Sequence, residues 1–451
     1  MIDETVLREN DIRGIAGENI TELLAFRVGA SFGTYLINNK KHDCVVGYDN
    51  RVSGEFLVKS LINGLMSTGI NVKFIGMVTT AILNYATIHL NIEAGIMVTA
   101  SHNPKEHNGF KIFGDKFLHL ERKELEKVYD LIKVPNYIKG TGRLEYINVN
   151  DSYINMLSTY VNYGNKRLKV AIDPGNGTTS LFIKDIVKKF NIEPLFINVE
   201  SDGNFPKHNP DPNNDKNLED LKEIVKKEKC DLGLAFDGDG DRVGVVDELG
   251  NTVESDKLIS IFSKSIIPKT NNKKVIMDVK CSTALKEEIE KLNAEAIMLK
   301  NGSAYIETVM QEKDVLIGGE YSGHIFFRDK YYGFDDGIYA GLRVFDILTN
   351  TDLKCSELSI GYKHYFNTPE IRISTTDEKK WNIIEQVKKY VIDKEYDYID
   401  IDGVRIEFSD GWALIRCSNT EPSITMRFEA ETEERLNEIQ DEFNKIISSL
   451  V

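Results

Sequence analysis

Residues 232–242 read Leu-Gly-Leu-Ala-Phe-Asp-Gly-Asp-Gly-Asp-Arg, an apolar run followed at once by three aspartates at alternate positions. The first five residues predict a short buried strand of the kind found in α/β sheets. The intervening glycines let the chain turn, so that Asp237, Asp239 and Asp241 converge instead of alternating across a strand. Ligands gather at the carboxyl edge of an open α/β sheet. This stretch therefore predicts an α/β fold with a functional loop at that edge.

The three carboxylates have the composition of a site for a hard divalent cation, and their oxygen atoms suit Mg²⁺. Two other interpretations compete with a metal loop. Asp-Gly pairs are common in solvated turns, and the run nearly matches an EF-hand calcium loop with Glu248 at its last position. That loop requires a glycine where this chain has Arg242, and residues 243–246 are strand-like instead of helical. The pattern therefore favours a magnesium loop.

Length and composition limit the class of protein. The chain has 451 residues, which is too long for one hydrophobic core and predicts roughly three or four domains. Hydrophobic residues make up 41% of the chain, which is enough for ordinary globular cores. The net charge of −15 argues against a nucleic-acid-binding surface. An acidic protein that binds an anionic substrate must instead concentrate lysine and arginine locally.

Cysteine usage and the first residues predict a cytoplasmic location. The five cysteines include no Cys-x-x-Cys pair and their number is odd, which favours reduced thiols over a disulfide framework. Residues 1–10 contain acidic side chains and no apolar stretch typical of a signal peptide. No apolar run is long enough to span a bilayer, so we expect no membrane partner.

Strand-like and helix-like patterns alternate along most of the chain. Residues 44–48 form an apolar run typical of a buried strand, and residues 21–38 have the periodicity of an amphipathic helix. The same alternation returns twice, which predicts three consecutive α/β domains with mixed sheets. The last segment is typical of a smaller α+β domain. The predicted domains are residues 1–148, 149–254, 255–367 and 368–451.

Three elements carry more specific predictions. A helix is expected near residues 179–190. The Asp-Asp-Gly run at 335–337 predicts the start of another helix, with one aspartate capping it. Over residues 423–430, apolar residues at 424, 426 and 428 alternate with polar or charged residues at 425, 427 and 429. That period predicts a half-buried antiparallel strand.

A second loop, Val-Thr-Ala-Ser-His-Asn-Pro at residues 98–104, follows a predicted strand. Ser101 lies where the strand ends, so its hydroxyl can project into a cleft. A turn or helix-capping serine is the more common interpretation. A Ser-His-Asp hydrolase is also possible, but the Gly-x-Ser-x-Gly elbow is missing and His102 is directly beside the serine. Downstream, Lys111 can act as an acid/base group, contact a phosphate or remain solvated.

Two further loops carry polar groups suited to a sugar phosphate. Residues 318–324 place Glu320, Ser322 and His324 on a glycine-rich segment, where such groups can hydrogen-bond to a polyol or form a plain turn. Residues 416–422 combine an arginine, two hydroxyls and an amide between two predicted strands. That combination can cradle a phosphate or form an ordinary hairpin turn.

Taken together and in this order, the loops resemble those of the α-D-phosphohexomutase family, most closely its phosphomannomutase/phosphoglucomutase branch. The resemblance identifies the loop at 99–104 as a phosphoserine loop and the Asp-Gly run at 237–242 as a metal loop. It identifies 318–324 as a sugar-recognition loop and 416–422 as a phosphate-binding loop. Weaker similarities lie at residues 11–14, 47–51, 173–177 and 211–212. The resemblance covers essentially the whole chain and implies three mixed-sheet α/β domains plus a smaller α+β domain around a central cleft.

The resemblance also implies which residues react. Ser101 would carry the phosphoryl group, and Mg²⁺ would be held by a phosphoryl oxygen on Ser101 together with Asp237, Asp239 and Asp241. Lys111 would be the leading acid/base candidate. The residues lining the reacting phosphate would be Arg13, His102, Lys111 and Arg242.

Substrate contacts follow from the same resemblance. Glu320 and Ser322 would bind sugar hydroxyls, with His324 beside them. The phosphate that does not react would be held by Arg416, Ser418, Asn419 and Thr420.

Two positions depart from the closest branch. Asn10 stands where a tyrosine often precedes the Asp-Ile-Arg-Gly stretch at 11–14. The third-domain Lys-x-Gly-His loop begins at Lys300, and Ser303 replaces its histidine. Lys300 can still reach a phosphate, but a histidine contact on that wall of the cleft is lost.

The implied reaction is reversible phosphoryl transfer between the 1- and 6-positions of a mannose or glucose phosphate, through phosphoserine and a hexose 1,6-bisphosphate intermediate and activator. Ser322 resembles the residue found in enzymes that accept both sugars. Phosphoglucosamine mutase is the alternative, and a metal-dependent sugar phosphatase or a non-catalytic sugar-phosphate sensor is less favoured. The expected partner is a small-molecule hexose phosphate, and the expected state is a monomer or weak homodimer.

Overall fold

The computed structural model describes residues 2–418 and 422–450. Four sheets follow one another along these residues. The first three contain both parallel and antiparallel strand pairs, and the fourth is antiparallel throughout. The predicted class, three mixed α/β domains followed by a smaller α+β domain around a central cleft, is confirmed.

The first sheet has the strand order β1-β5-β4-β2-β3-β7, with β6 paired to β5. Its strands are β1 (Ile12–Ile15), β2 (Asp43–Tyr48), β3 (Asn71–Met77), β4 (Gly95–Val98), β5 (His107–Asp115), β6 (Leu118–His119) and β7 (Leu144–Tyr146). Its helices are α1 (Glu22–Asn38), α2 (Gly54–Ser67), α3 (Thr80–His89) and α4 (Arg122–Lys133). β4 ends just before the Ser101 loop, as the sequence pattern predicts.

Helices α1 and α2 pack backbone against backbone through two glycines. A Cβ added at Gly29 would lie 2.1 Å from the carbonyl oxygen of Leu61, and one added at Gly64 would lie 2.2 Å from that of Phe26. A side chain at either position would therefore force α1 and α2 apart. The helical face that covers the first sheet would be disturbed as well.

The second sheet has the order β12-β11-β10-β8-β9. Its strands are β8 (Leu168–Asp173), β9 (Ile192–Phe196), β10 (Leu232–Phe236), β11 (Val243–Asp247) and β12 (Thr252–Val253), and the helices of this region are α5 (Asn150–Tyr160), α6 (Ile183–Val187) and α7 (Glu219–Glu228). β10 is the buried strand predicted at 232–236. The helix expected near 179–190 is shorter than predicted, because a 3₁₀ turn over Thr178–Leu181 precedes α6.

The third sheet has the order β14-β13-β15-β16. Its strands are β13 (Lys274–Asp278), β14 (Glu295–Leu299), β15 (Ile317–Gly319) and β16 (Ile325–Phe327), and its helices are α8 (Ser255–Ile266), α9 (Thr283–Lys291), α10 (Ser303–Glu312) and α11 (Gly337–Thr349). The side chain of Asp336 accepts a hydrogen bond from the Tyr339 N–H at 2.9 Å and so caps α11. The predicted helix start is confirmed.

The fourth sheet has the order β17-β22-β21-β20-β19, with β18 paired to β22. Its strands are β17 (Phe366–Asn367), β18 (Ile371–Ser374), β19 (Asp397–Ile399), β20 (Val404–Phe408), β21 (Gly411–Cys417) and β22 (Ser423–Ala430), and its helices are α12 (Asp377–Asp393) and α13 (Glu433–Leu450).

The antiparallel strand predicted at residues 423–430 is present as β22, but the prediction that it is half-buried is wrong. β22 is buried along its whole length, including Thr425, Arg427 and Glu429. Its polar face packs against the third domain, where Arg427 lies over the Tyr321 ring at 3.5 Å and Glu429 accepts a hydrogen bond from the Thr283 N–H. Alternation of apolar and polar residues indicates that the two faces of a strand differ. It does not show that another domain covers the polar face.

Among the described residues, no helix is both long enough and apolar enough to cross a lipid bilayer.

Replacing Gly29 by alanine should destabilise the protein by about 1–3 kcal/mol, the usual cost of overpacking. Helix propensity alone would favour alanine by about 1 kcal/mol, so a net loss must come from the α1–α2 contact. The measurement is the midpoint of urea unfolding. Leu23→Ala is the control, because Leu23 lies on the same helix and is 61% exposed. An unchanged midpoint for Gly29→Ala would contradict the packing argument.

Candidate active site

Ser101 lies on a turn that one buried arginine holds in place. Its backbone φ is +50°, in the left-handed region that residues other than glycine rarely adopt. The Arg51 side chain, whose residue is 1% exposed, lies inside this turn. Its guanidinium donates hydrogen bonds to four carbonyl oxygens, at 2.7 Å to Ser101, 2.6 Å to Asn103, 2.7 Å to Pro104 and 3.1 Å to His107. These bonds maintain an otherwise unfavourable backbone conformation.

Asp49 completes the support of the serine turn. Its carboxylate pairs with Arg51 at 3.2 Å and accepts a hydrogen bond from Thr99 Oγ1 at 2.7 Å. Thr99 Oγ1 in turn accepts a hydrogen bond from the backbone N–H of Ser101 at 2.8 Å. The Phe205 ring of the second domain lies 5.1 Å from the Arg51 guanidinium carbon. The weak similarity at residues 47–51 therefore marks the residues that position Ser101.

The carboxylate loop, residues 237–242, meets Ser101 from the second domain. Asp237, Asp239 and Asp241 are each at most 1% exposed, and a carboxylate oxygen from each lies within 4.8 Å of the others. Gly238 allows this approach, because a Cβ there would lie 2.5 Å from the carbonyl oxygen of Ser101. Ser101 Oγ donates a hydrogen bond to Asp237 Oδ2 at 2.7 Å. The structure thus brings together the serine and the three aspartates.

Lys111 of β5 reaches into the same cluster. Its ammonium lies 2.8 Å from Asp239 Oδ2 and 2.5 Å from Asp241 Oδ2. Burial alone would lower the pKa of Lys111, but the two carboxylates outweigh it and the pKa lies above its usual value. Burial likewise opposes ionisation of Asp239, yet the charge and hydrogen bond of Lys111 hold the pKa of Asp239 well below its usual range. Both groups are therefore firmly ionised at neutral pH.

One lysine does not compensate all three carboxylates of this loop. Burial, followed by the charges of Asp241 and Asp239, raises the pKa of Asp237 well above its usual range. The Oδ1 atoms of Asp239 and Asp241 are buried and have no hydrogen-bond partner within the described part of the chain. Buried carboxylates are normally paired or bound to a metal ion. The residues present therefore fit a metal ion.

Arg242 connects the carboxylate loop to the third domain. Its Nε donates a hydrogen bond to His324 Nε2 at 2.8 Å, and His324 Nδ1 lies 2.6 Å from Asp335 Oδ2. Because Nε2 accepts a hydrogen bond, the proton of a neutral imidazole is on Nδ1, the ring nitrogen nearest to Asp335. Arg242 Nε also lies 3.9 Å from Asp237 Oδ2. The loops at 237–242 and 318–324 thus form one polar network.

Asp335 is a site residue that the sequence pattern assigns only to a helix start. Asp336 does cap the helix, but Asp335 lies against His324 and accepts a hydrogen bond from Ser303 Oγ at 3.1 Å. Two adjacent aspartates before a glycine look alike in sequence. Only the direction in which each side chain points separates their roles.

His102 and Arg13 lie beside the reactive serine. His102 Nδ1 is 3.3 Å from Ser101 Oγ. Burial, followed by the charges of Arg242 and Arg13, lowers the pKa of His102 well below its usual value, so the imidazole is neutral. Arg13 donates to Asn103 Oδ1 at 3.0 Å and pairs with Asp11 at 2.6 Å.

The third and fourth domains complete the cleft. Ser322 Oγ donates to Glu320 Oε2 at 2.7 Å. Arg416 Nε donates to Asp402 Oδ2 at 2.8 Å, while its Nη2 is buried with no hydrogen-bond partner among residues 2–418 and 422–450. Asn419 and Thr420 lie outside the described residues. The residues on the cleft wall that the sequence analysis singled out are Arg13, Ser101, His102, Lys111, Arg242, Glu320, Ser322, His324, Arg416 and Ser418.

Lys300 is absent from the described cleft wall, although the residues immediately after it, 301–304, are part of it. Its ammonium instead pairs with Glu9 at 2.8 Å and lies 3.7 Å from the centre of the Tyr305 ring. The ion pair joins the first and third domains beside the cleft, which Glu9 lines, and the role predicted for Lys300 in substrate binding stays a prediction.

Lys280 and His119 line the cleft although neither belongs to a motif that the sequence analysis identified. Lys280 lines the cleft, is 6% exposed and lies 3.8 Å from Glu370. It follows β13, so the rule that places ligands at the carboxyl ends of strands could have found it. His119 also lines the cleft, from the two-residue strand β6. No local pattern distinguishes His119 from a surface histidine.

Four domain families match four consecutive parts of the chain, in the same order as the four sheets. Phosphoglucomutase/phosphomannomutase alpha/beta/alpha domains I, II and III and the C-terminal domain match residues 4–137, 151–250, 254–365 and 370–446. The chain belongs to the phosphoglucomutase/phosphomannomutase family.

Relatives within this family are similar over nearly their whole length. A phosphomannomutase/phosphoglucomutase of Pseudomonas putida is 38% identical over 98% of this chain and 95% of its own. A phosphoglucomutase of Neisseria gonorrhoeae is 34% identical over 99% of this chain and 98% of its own. The crystal structure of a family member from Burkholderia thailandensis superposes with a TM-score of 0.92 at 31% identity and covers 100% of this chain and 98% of that one.

Replacing Arg51 by lysine should destabilise the serine turn, since one ammonium cannot satisfy four buried carbonyls, and each buried group left unpaired costs about 1–3 kcal/mol. Thermal unfolding and hydrogen exchange of amides 101–107 measure the effect. Arg167→Lys is the control, because Arg167 forms an exposed ion pair with Glu193. Wild-type stability together with wild-type amide protection in Arg51→Lys would show that Arg51 does not hold the turn.

Proposed function

We propose that this protein is a phosphohexomutase that moves a phosphoryl group between the 1- and 6-positions of mannose or glucose phosphates. The observation that carries the proposal is the hydrogen bond from Ser101 Oγ to Asp237, inside a carboxylate cluster at the base of a cleft lined by arginine, lysine and histidine. A nucleophile on the wall of a cleft, a carboxylate loop that fits a metal ion and nearby cations are what phosphoryl transfer requires.

Ser101 is the group that carries the phosphoryl unit in this proposal. Phospho-Ser101 gives its phosphoryl group to the free hydroxyl of a hexose monophosphate, which forms a hexose 1,6-bisphosphate. After the bisphosphate turns over, the other phosphoryl group returns to Ser101 Oγ. Arg51 supports both half-reactions because it holds the Ser101 turn in one conformation.

Asp237, Asp239 and Asp241, with a phosphoryl oxygen on Ser101, would hold Mg²⁺. When bound, the ion offsets negative charge on the transferring phosphoryl group. Arg13 and Arg242 line the same part of the cleft and offset charge there too. Lys111 is held by two carboxylates and its pKa is raised, which favours charge neutralisation over proton transfer as its role.

In this proposal, residues of the third and fourth domains orient the substrate. Glu320 and Ser322 are hydrogen-bonded to each other at 2.7 Å and can exchange that bond for sugar hydroxyls. Arg416 presents a buried Nη2 without a described partner, which suits the phosphate that does not react. We assign the same phosphate to Ser418, Asn419 and Thr420, and we add Lys280, which lines the cleft.

The choice of sugar rests on the relatives. Those described above carry the names phosphomannomutase/phosphoglucomutase and phosphoglucomutase. These names favour mannose and glucose phosphates over the glucosamine phosphates of the alternative assignment. A hexose 1,6-bisphosphate would then serve as activator as well as intermediate. We further propose a cytoplasmic enzyme, monomeric or weakly dimeric, with domain boundaries after residues 148, 254 and 367.

Replacing Ser101 by alanine should abolish mutase turnover while the protein stays folded, because the phosphoryl acceptor is removed. The measurement is the conversion of mannose 1-phosphate and glucose 1-phosphate with a trace of bisphosphate, alongside radiolabel retained on the protein. Ser158→Ala on α5 is the control, since Ser158 Oγ donates to the carbonyl oxygen of Asn155 within its own helix. Full turnover by Ser101→Ala would rule out a phosphoserine intermediate, and release of free inorganic phosphate by the wild type would indicate a phosphatase.

Removing divalent metal should abolish turnover reversibly, and Mg²⁺ should restore it. Asp239→Asn should weaken Mg²⁺ binding in calorimetry, because it removes one of three anionic ligands. Asp185→Asn, a change at a solvent-exposed ion pair, serves as the control for the amide substitution. Equal Mg²⁺ affinity in the wild type and Asp239→Asn would dismiss the carboxylate loop as the metal site.

A further inference from the structure

A second cavity lies mainly on the third domain and shares none of its described lining residues with the catalytic cleft. Its volume is about 780 Å³, more than three times the 230 Å³ of the cleft. It is bounded by the end of α8, residues 329–330 and the second half of α11, and Asn162 of the second domain lies on its wall. A cavity of this size has room for a small organic molecule.

Three lysines, Lys264, Lys269 and Lys330, line the second cavity. Lys264 pairs with Glu288 at 2.5 Å, whereas Lys269 and Lys330 form no ion pair within residues 2–418 and 422–450. Like charges that line one cavity repel each other unless an anion offsets them. The whole chain has a net charge of −15, so this local concentration of lysine is the pattern expected around an anionic ligand.

The two carboxylates of the second cavity are occupied by a buried arginine instead of these lysines. Arg343 donates to Asp329 Oδ1 and Oδ2 at 2.8 and 2.9 Å, and its Nε lies 3.9 Å from Asp346 Oδ2. The Arg343 side chain is 4% exposed, and its Nε is buried with no hydrogen-bond partner in the described chain. A buried guanidinium on the cavity wall with an unpartnered N–H is a second, independent sign that the cavity takes an anion.

The wall of the second cavity is held in place at both ends of α11. At the first residue of the helix, the N–H of Gly337 donates to the carbonyl oxygen of Gly240 at 3.1 Å. Just after the helix, the side-chain amide of Asn350 donates to the carbonyl oxygen of Asn162 at 2.8 Å. Because α11 is fixed by these contacts, little ordering of the protein is needed when a ligand enters.

The remaining side chains on the wall indicate which kind of anion fits. Amides and hydroxyls, which include those of Asn162, Ser265 and Thr270, can donate to and accept from sugar hydroxyls. Aliphatic side chains such as Leu316 and Ile347 can pack against the C–H faces of a sugar ring. Within the part of the chain that the structure describes, no aromatic side chain lines the cavity, which disfavours a nucleobase that binds by stacking.

A water-filled gap edged by solvated lysines is the alternative explanation. A buried water molecule forms about three hydrogen bonds, and the amides and hydroxyls of the wall can supply them. Water alone does not offset the charge of the three lysines, however, and the aliphatic side chains of the wall gain nothing from contact with it. A sugar phosphate satisfies the cationic, polar and aliphatic parts of the wall together.

We propose that the second cavity is a ligand site that binds a sugar phosphate separately from the catalytic cleft. Lys264, Lys269 and Lys330 contact the phosphate, the amides and hydroxyls bind the sugar hydroxyls, and the aliphatic side chains pack against the ring. No covalent bond forms or breaks there. The inference does not depend on the mutase function, since none of these residues takes part in the phosphoryl transfer proposed above.

Calorimetry of glucose 6-phosphate binding tests the site in Ser101→Ala, which has no hydroxyl to exchange a phosphoryl group. Two molecules should bind per chain. Replacing Lys269 and Lys330 together by glutamine should weaken one of the two sites roughly tenfold or more, because hydrogen bonds to charged groups are lost. The control is Lys123→Gln with Lys227→Gln, two exposed lysines outside both cavities, and it should keep two sites.

The methyl resonances of Ile347 give a readout located in the second cavity. Saturating glucose 6-phosphate should shift them in Ser101→Ala, and the shift should be lost at the same concentration in the double-lysine variant. This measurement on Ser101→Ala alone decides if the double-lysine variant does not fold. A single binding site in Ser101→Ala, or Ile347 methyl resonances unmoved by glucose 6-phosphate, overturns the inference and leaves the mutase function untouched.

Inorganic phosphate and free glucose separate the two parts of the ligand. Each should need a concentration roughly tenfold higher or more to shift the Ile347 methyl resonances, because each lacks half of the contacts. An equal response to inorganic phosphate would show that the cavity takes any small anion, and an equal response to glucose would show that the lysines do not contribute. Either result overturns the assignment of a sugar phosphate.

Discussion

The burial of three carboxylates between two domains is the constraint on which the cleft depends. Desolvating a single ionised carboxylate costs several kcal/mol, on the order of 5, unless positive charge or hydrogen bonds compensate. Here the compensation comes from another domain, because Lys111 of the first domain pairs with Asp239 and Asp241 of the second, and Ser101 donates to Asp237. The carboxylate loop can therefore be buried only when the domains are docked. The interface and the reactive centre are the same set of contacts.

A second constraint acts on the serine itself. Ser101 has a positive φ, which costs free energy unless surrounding groups maintain it. Arg51 does so by bonding four carbonyl oxygens around it, and Asp49 balances the buried guanidinium. Because Ser101 Oγ is held toward Asp237 before any substrate arrives, little reorganisation is needed when a phosphoryl group is transferred. The strain at one residue is therefore part of how the nucleophile is aimed.

The charges in the cleft divide into groups that stay charged and groups that can change. Neighbouring carboxylates raise the pKa of Lys111 and of Arg242, so both stay protonated at neutral pH and can neutralise phosphate oxygens. The imidazoles differ because their surroundings differ. His102 is kept neutral by burial and nearby cations, whereas Glu307 pulls the pKa of His119 upward. One residue type thus has opposite properties within a single cleft, because the charges beside the two buried imidazoles differ.

Local sequence was sufficient for the parts of this protein that depend on local physics. The buried strand at 232–236, the α/β alternation and the convergence of the three aspartates follow from periodicity and from glycine positions. Local sequence does not predict contacts between residues that are far apart in the chain. His119 and Glu307 are separated by 188 residues, and Lys300 and Glu9 by 291 residues. The alternation in β22 likewise predicts an exposed polar face, which is in fact buried, because alternation cannot show that another domain covers it. Local patterns determined the elements and the reactive loops, whereas tertiary structure decided which charges meet, since burial and pairing depend on neighbours that no short stretch contains.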